Sequence, residues 1–120
     1  MQRYFSTVLI LNLVFEATAA VALIAFPEAA LAQGEALLWP RNYGFAALAM
    51  ASASLWVWPV RDQLPSVTAV CGILLTFHVG LSASLAIAGG ANTGASALHG
   101  LLAVLFLVAF AQRKKWCDTP

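Results

Sequence analysis

Residues 7–26 form an apolar run long enough to cross a bilayer, and Glu16 sits near its middle. About 20 helical residues cover the roughly 30 Å hydrocarbon core, so the run reads as a transmembrane helix. A carboxyl group at that depth is costly and is seldom left facing lipid. It calls for a polar partner, and the chain offers Asn42, His78, Ser82 and His99, all inside or at the edge of other apolar segments. One residue thus forces both a membrane and a polar interior on any fold of this chain.

The composition agrees. Hydrophobic residues make up 62% of the 120 positions and charged residues only 9%. A water-soluble domain carries about 25% charged residues, so this chain lacks the polar surface to face water on all sides. A net charge of +1, with no basic helix, argues against a nucleic-acid partner. No Gly-rich phosphate loop and no zinc-ligand spacing occurs. Cys71 falls in an apolar segment and Cys117 in the charged tail, which does not make a disulfide framework.

Three further segments resemble the first: residues 40–57, 65–88 and 95–112. The expected fold is all-α, a single domain forming a four-transmembrane-helix bundle. Prolines punctuate it consistently. Pro27 and Pro59 follow the first two spans, while Pro40 and Pro65 stand where a first helical turn tolerates proline. Residues 89–94, rich in glycine, form a short turn, and Ser96 is placed to cap the fourth helix. The first 36 residues also resemble a secretory signal, with an Ala30-Leu31-Ala32 cleavage pattern. Glu16 interrupts the would-be signal core, and the run is longer than such cores, so it is read as a span.

Basic residues set the orientation. Arg3, Arg61, Arg113, Lys114 and Lys115 fall on one side of a four-span arrangement; Arg41 falls on the other with Glu28 and Glu35. Both termini and the middle loop are therefore expected in the cytoplasm. Tyr4, Trp56, Trp58 and Trp116 would mark that interface, and Trp39 and Tyr43 the outer one.

A rise of about 1.5 Å per residue places Glu16 roughly 14 Å from the cytoplasmic boundary, His78 about 18 Å and His99 about 20 Å. Arg41 and Asn42 come out near about 25 Å, at the outer rim. Helical phase groups Asn12 with Glu16, Cys71 with His78 and Ser82, and Ser96 with His99, Gly100 and Ala103. Glu16, His78 and His99 are the candidate catalytic residues. Asn12, Arg41, Asn42 and Ser82 are the candidate ligand-binding residues. Two imidazoles at similar depth could also ligate a metal or haem, although no specific motif calls for either. The second span is dense in Gly, Ala and Ser, which lets backbones approach closely, so it is expected to be the best-buried helix or to face another protomer.

Arg41-Asn42-Tyr43-Gly44 at the head of the second span, the Ala/Ser-rich stretch after it and a polar residue midway along the third span resemble the DoxX-like group of small four-span bacterial membrane proteins. The resemblance implies a bacterial inner-membrane location and a quinone-associated or accessory role within a larger membrane complex. It supplies no catalytic residues; His78 and His99 match no motif of that group.

Three functions fit. The first is a binding or accessory subunit holding an apolar or quinone-like ligand. The second is an intramembrane enzyme in which Glu16 and His78 or His99 form an acid/base pair for isomerising an apolar substrate or opening an epoxide. The third is a small proton-coupled exporter. Buried glue that only fixes helix register would look the same in sequence. Four short helices barely enclose a pocket, so a homo-oligomer or a larger complex is expected.

Overall fold

A computed structural model describes residues 1–30 and 38–117. Glu35, Leu31 and Ala32 of the cleavage-like pattern, and Asp118 lie outside the described residues.

The protein is all-α. Its four long helices are α1 (Gln2–Ala25), α2 (Leu38–Val57), α3 (Leu64–Ala88) and α4 (Thr93–Gln112). All four are long and apolar enough to cross a membrane. The α1 helix begins five residues before the expected start at residue 7. Apolarity marks where a helix can meet lipid, whereas Arg3 to Ser6 are polar or aromatic residues that continue the same helix beyond that layer. The start of α2 likewise precedes Pro40, which sits in the first turn, where no intrahelical N–H bond is lost. Pro65 occupies the start of α3, behind an extended Gln63. Pro27 and Pro59 fall in short 3₁₀ turns that follow α1 and α2.

Gly89 and Gly90 have φ of 65° and 58°, and they are the positive-φ residues of the described chain. Side chains resist that conformation, so glycine lets α3 end there and α4 start after one 3₁₀ turn. The Gly89 N–H closes α3 by donating to the Leu85 carbonyl at 3.1 Å.

The chain divides into two compact units, one comprising Met1–Val8 with Val57–Pro120, the other Leu9–Trp56. In the first, α3 and α4 pack antiparallel. Their buried faces carry Val67, Val70, Cys71, Leu74 and His78 on α3, and Ser96, His99, Leu102, Ala103, Phe106 and Ala109 on α4. The head of α1 joins this unit. Tyr4 donates its hydroxyl to the Leu105 carbonyl at 3.0 Å, and the Phe5 ring meets Trp116 at 5.0 Å. Arg113 ties the end of α4 to the start of α3, its Nε donating to Thr68 Oγ1 at 2.8 Å.

In the second unit the small residues of α2 lie on one stripe: Gly44, Ala47, Ala51 and Ser54 are buried. A Cβ on Gly44 would stand 2.8 Å from Ile24 Cγ1 and 3.1 Å from Leu23 Cβ, which shows how closely α1 and α2 approach. Only that stripe is covered. Phe45, Leu48 and Leu55 are exposed, and an apolar 18-residue stretch of the α4 span is 33% buried against 28% for the corresponding stretch of α2. Of the two expectations for α2, best-buried helix or face for another protomer, the first is corrected: within the chain α4 is covered somewhat more. Small side chains permit close approach on one face but do not surround a helix with neighbours.

Large apolar side chains also lie exposed along the other helices, among them Val14, Val21, Ile73, Ile87, Leu101 and Val104. Apolar exposure on this scale is unusual for a protein meeting water and ordinary for one meeting lipid.

Candidate functional site

Two polar centres are buried in the described chain, one in each unit. In the first unit, helical spacing puts His78 on the covered stripe of α3, two turns beyond Cys71, and His99 on the covered stripe of α4, one turn beyond Ser96. Because the helices run antiparallel, the two imidazoles meet. Nδ1 of His78 and Nδ1 of His99 stand 2.9 Å apart, with His78 fully buried and His99 4% exposed. A hydrogen bond between two neutral imidazoles needs one ring to carry its proton on Nδ1 and the other to carry it on Nε2. A neutral, hydrogen-bonded pair combines opposite tautomers.

Phenylalanines hold the rings in place. Phe106, seven residues from His99 on the same stripe, stacks on His78 with centroids 5.7 Å apart and planes within 9°. Phe77 meets both imidazoles edge-on, at 5.3 Å and 6.0 Å. Neither phenylalanine was singled out from sequence. For Phe106 the signal was its heptad offset from His99; Phe77 carried none beyond being next to His78.

One turn away lies a reciprocal serine clasp. Ser82 Oγ donates to the Ser96 carbonyl at 3.0 Å, and Ser96 Oγ donates to the Ser82 carbonyl at 2.9 Å. Gly100 leaves room for it, since a Cβ there would sit 3.1 Å from Ser82 Oγ. Ser96 is thus not a helix cap: α4 starts at Thr93, and Asn92 precedes it without a side-chain capping bond. The hydroxyl finds its acceptor on the neighbouring helix instead. Ser82, expected to touch ligand, spends its donor on the backbone of α4.

In the second unit, Asn12 and Glu16 share the covered stripe of α1 and are both fully buried. Asn12 Nδ2 donates to the Met50 carbonyl at 3.1 Å and to Ser54 Oγ at 3.0 Å, cross-linking α1 and α2. Arg41 and Asn42 are exposed at the start of α2. Their expected place in the polar interior is corrected, because Gly44 and Ala47 occupy the inward phase of that helix. A shallow apolar furrow of about 430 Å³ runs along Ala17, Thr18, Val21, Ala22 and Phe26 on α1 and includes no residue of the candidate set.

The spacing of the histidines bears on what they could hold. Two axial ligands of one haem iron stand on the order of 4 Å apart, with the porphyrin between them. Direct Nδ1 contact does not match that arrangement. A single ion bound at about 2.0–2.1 Å would see nitrogens 2.9 Å apart as neighbouring ligands at close to a right angle, whereas tetrahedral zinc wants about 3.4 Å. No family model, curated protein or solved structure matches the chain.

Proposed function

We propose that this chain is a four-span integral protein of the bacterial inner membrane, with both termini cytoplasmic. In this proposal it acts as a binding or accessory subunit whose working centre is the His78–His99 pair, which holds a small quinone-like ligand by hydrogen bonds. The observation that supports this is the 2.9 Å Nδ1–Nδ1 contact inside an apolar helix interface. If His78 carries its proton on Nδ1, its Nε2 is an acceptor while Nε2 of His99 is a donor. Reversing both roles takes three transfers together: Nε2 of His99 gives up its proton, the shared proton crosses to Nδ1 of His99, and Nε2 of His78 takes up a proton. Such a pair can donate to a carbonyl oxygen or accept from a hydroxyl without acquiring net charge, which suits a low-dielectric site. Quinone and quinol oxygens differ in that same donor and acceptor character. The DoxX-like resemblance points to the same ligand class.

Glu16, at mid-membrane depth by helical rise, is proposed as a further proton-carrying group of the protein. If the chain is instead an enzyme, the same groups would supply acid/base chemistry on an apolar substrate.

A second possibility rests on the same distance, since a transition-metal ion preferring right-angle ligation could sit between the rings. Nitrogen-15 NMR of histidine-labelled protein in lipid nanodiscs separates these cases. One protonated and one unprotonated Nδ1, with exchange between the two, is the expected result. Two unprotonated Nδ1 atoms would assign the pair to a metal. Fixed tautomers without exchange would reduce it to a structural contact and overturn the proposal.

A further inference from the structure

The end of the first unit that gathers the start of α1, the start of α3 and the end of α4 concentrates positive charge. Arg3, Arg61, Arg113, Lys114 and Lys115 all belong to this unit, and Asp62 is the one acid among its described residues. Two of these cations are held rather than loose. The Arg113 guanidinium lies 3.7 Å over the Phe110 ring, its Nε donates to Thr68 Oγ1, and its Nη1 donates to the Phe110 carbonyl. Arg61 lies 4.6 Å over the Trp58 ring and donates through Nη1 to the Trp58 carbonyl at 2.5 Å. Arg113 remains half-exposed, and Lys114 and Lys115 are exposed beside it. Arg61 Nε and Trp116 Nε1 find no acceptor among the described residues. This end is rich in donors and poor in acceptors.

We infer that this end binds the phosphate group of an anionic phospholipid, with Arg113 as the orienting ligand and Thr68 as its positioning residue. A guanidinium fixed on one edge by a hydroxyl and on one face by a ring presents its remaining N–H groups in a set direction, which suits the paired oxygens of a phosphate. Lys114, Lys115 and Arg61 add attraction that depends less on geometry. Trp58 and Trp116 are the amphipathic side chains expected at headgroup level. The inference rests on membrane insertion but not on the role of the histidines.

The test uses the full chain. Recovery in the membrane fraction is scored first, and recovery in the soluble fraction would overturn the membrane assignment together with this one. Detergent-purified protein is then titrated with phosphatidylglycerol and with phosphatidylcholine, and bound lipid is counted by native mass spectrometry. Wild type should prefer phosphatidylglycerol. Lys114→Gln should lower that preference by about five-fold, the contribution of one basic residue at an anionic surface, and Arg113→Gln by clearly more. Arg113→Lys and Thr68→Val leave the net charge unchanged and should still lose most of what Arg113→Gln loses, with thermal melts near wild type. Equal effects from all single charge removals, with Thr68→Val silent, would show unspecific attraction and overturn the site. Inorganic phosphate binding with the same Arg113 dependence and no lipid preference would overturn the lipid as its source.

Discussion

His78 and His99 face each other Nδ1 to Nδ1 at 2.9 Å across the α3–α4 interface, the distance of a hydrogen bond in which one of the two nitrogens carries the proton. Their surroundings are unequal: Phe106 stacks on His78, while Phe77 meets both rings edge-on. Which ring holds the proton is therefore set by packing and by whatever meets the outer nitrogens.

Isosteric amides separate chemistry from glue. Glutamine in place of either histidine, or of Glu16, can still hydrogen-bond but cannot carry a proton through the side chain. His78→Gln, His99→Gln and Glu16→Gln are expected to fold and to lose binding of a short-chain benzoquinone, followed by quenching of protein fluorescence. Ser84→Ala, at an exposed position of α3, should be silent. Unchanged quinone binding in all three amide variants, with normal thermal melts, would leave the polar residues a structural role only.

Asn12 should matter for stability. Its amide donates both to the Met50 carbonyl and to Ser54 Oγ, joining α1 to α2. Asn12→Ala is expected to destabilise the protein by about 1–2 kcal/mol, and Ser54→Ala by less because the carbonyl contact remains. Detergent or thermal denaturation of the single and double variants should give a coupling near ~0.5–1 kcal/mol. Strict additivity would show that the two side chains act independently.

The serine clasp predicts a suppressor. Gly100→Ala places a methyl group 3.1 Å from Ser82 Oγ, tighter than an ordinary contact, and is expected to cost about 1–2 kcal/mol. Ser82→Ala removes the oxygen in the way and one bond of the clasp. The double variant should then be more stable than the sum of the two single effects, measured by thermal melting in detergent. Additive losses would place the strain of Gly100→Ala elsewhere.

Topology is open to direct chemistry. A cysteine at Asn92, exposed beside the turn between α3 and α4, is expected to react with an impermeant maleimide added outside cells; so is one at Gln33, which lies outside the described residues. A cysteine beside Arg61 should react only after the cells are opened. The native Cys71 and Cys117 are buried and should label poorly in the folded protein. Labelling at Arg61 from outside would reverse the proposed orientation.

Much of this structure is written locally. Length and apolarity define four helices, because a segment's capacity to cross lipid depends on its own residues. Spacing by three and four then places Asn12 and Glu16 on one covered face, and likewise Cys71 and His78, and Ser96, His99 and Ala103. Partner choice is different in kind, because it depends on the rotation and register of one helix against another. Ser96 followed a turn in a pattern that resembles a cap, yet its oxygen reaches across to Ser82. Asn42 looked like an interior polar group, yet the inward phase of α2 belongs to Gly44. The 2.9 Å between the histidines is likewise a product of packing. Sequence put both at one depth, but only the close approach of α3 and α4, held by the clasp at Ser82 and Ser96, brings their rings into contact.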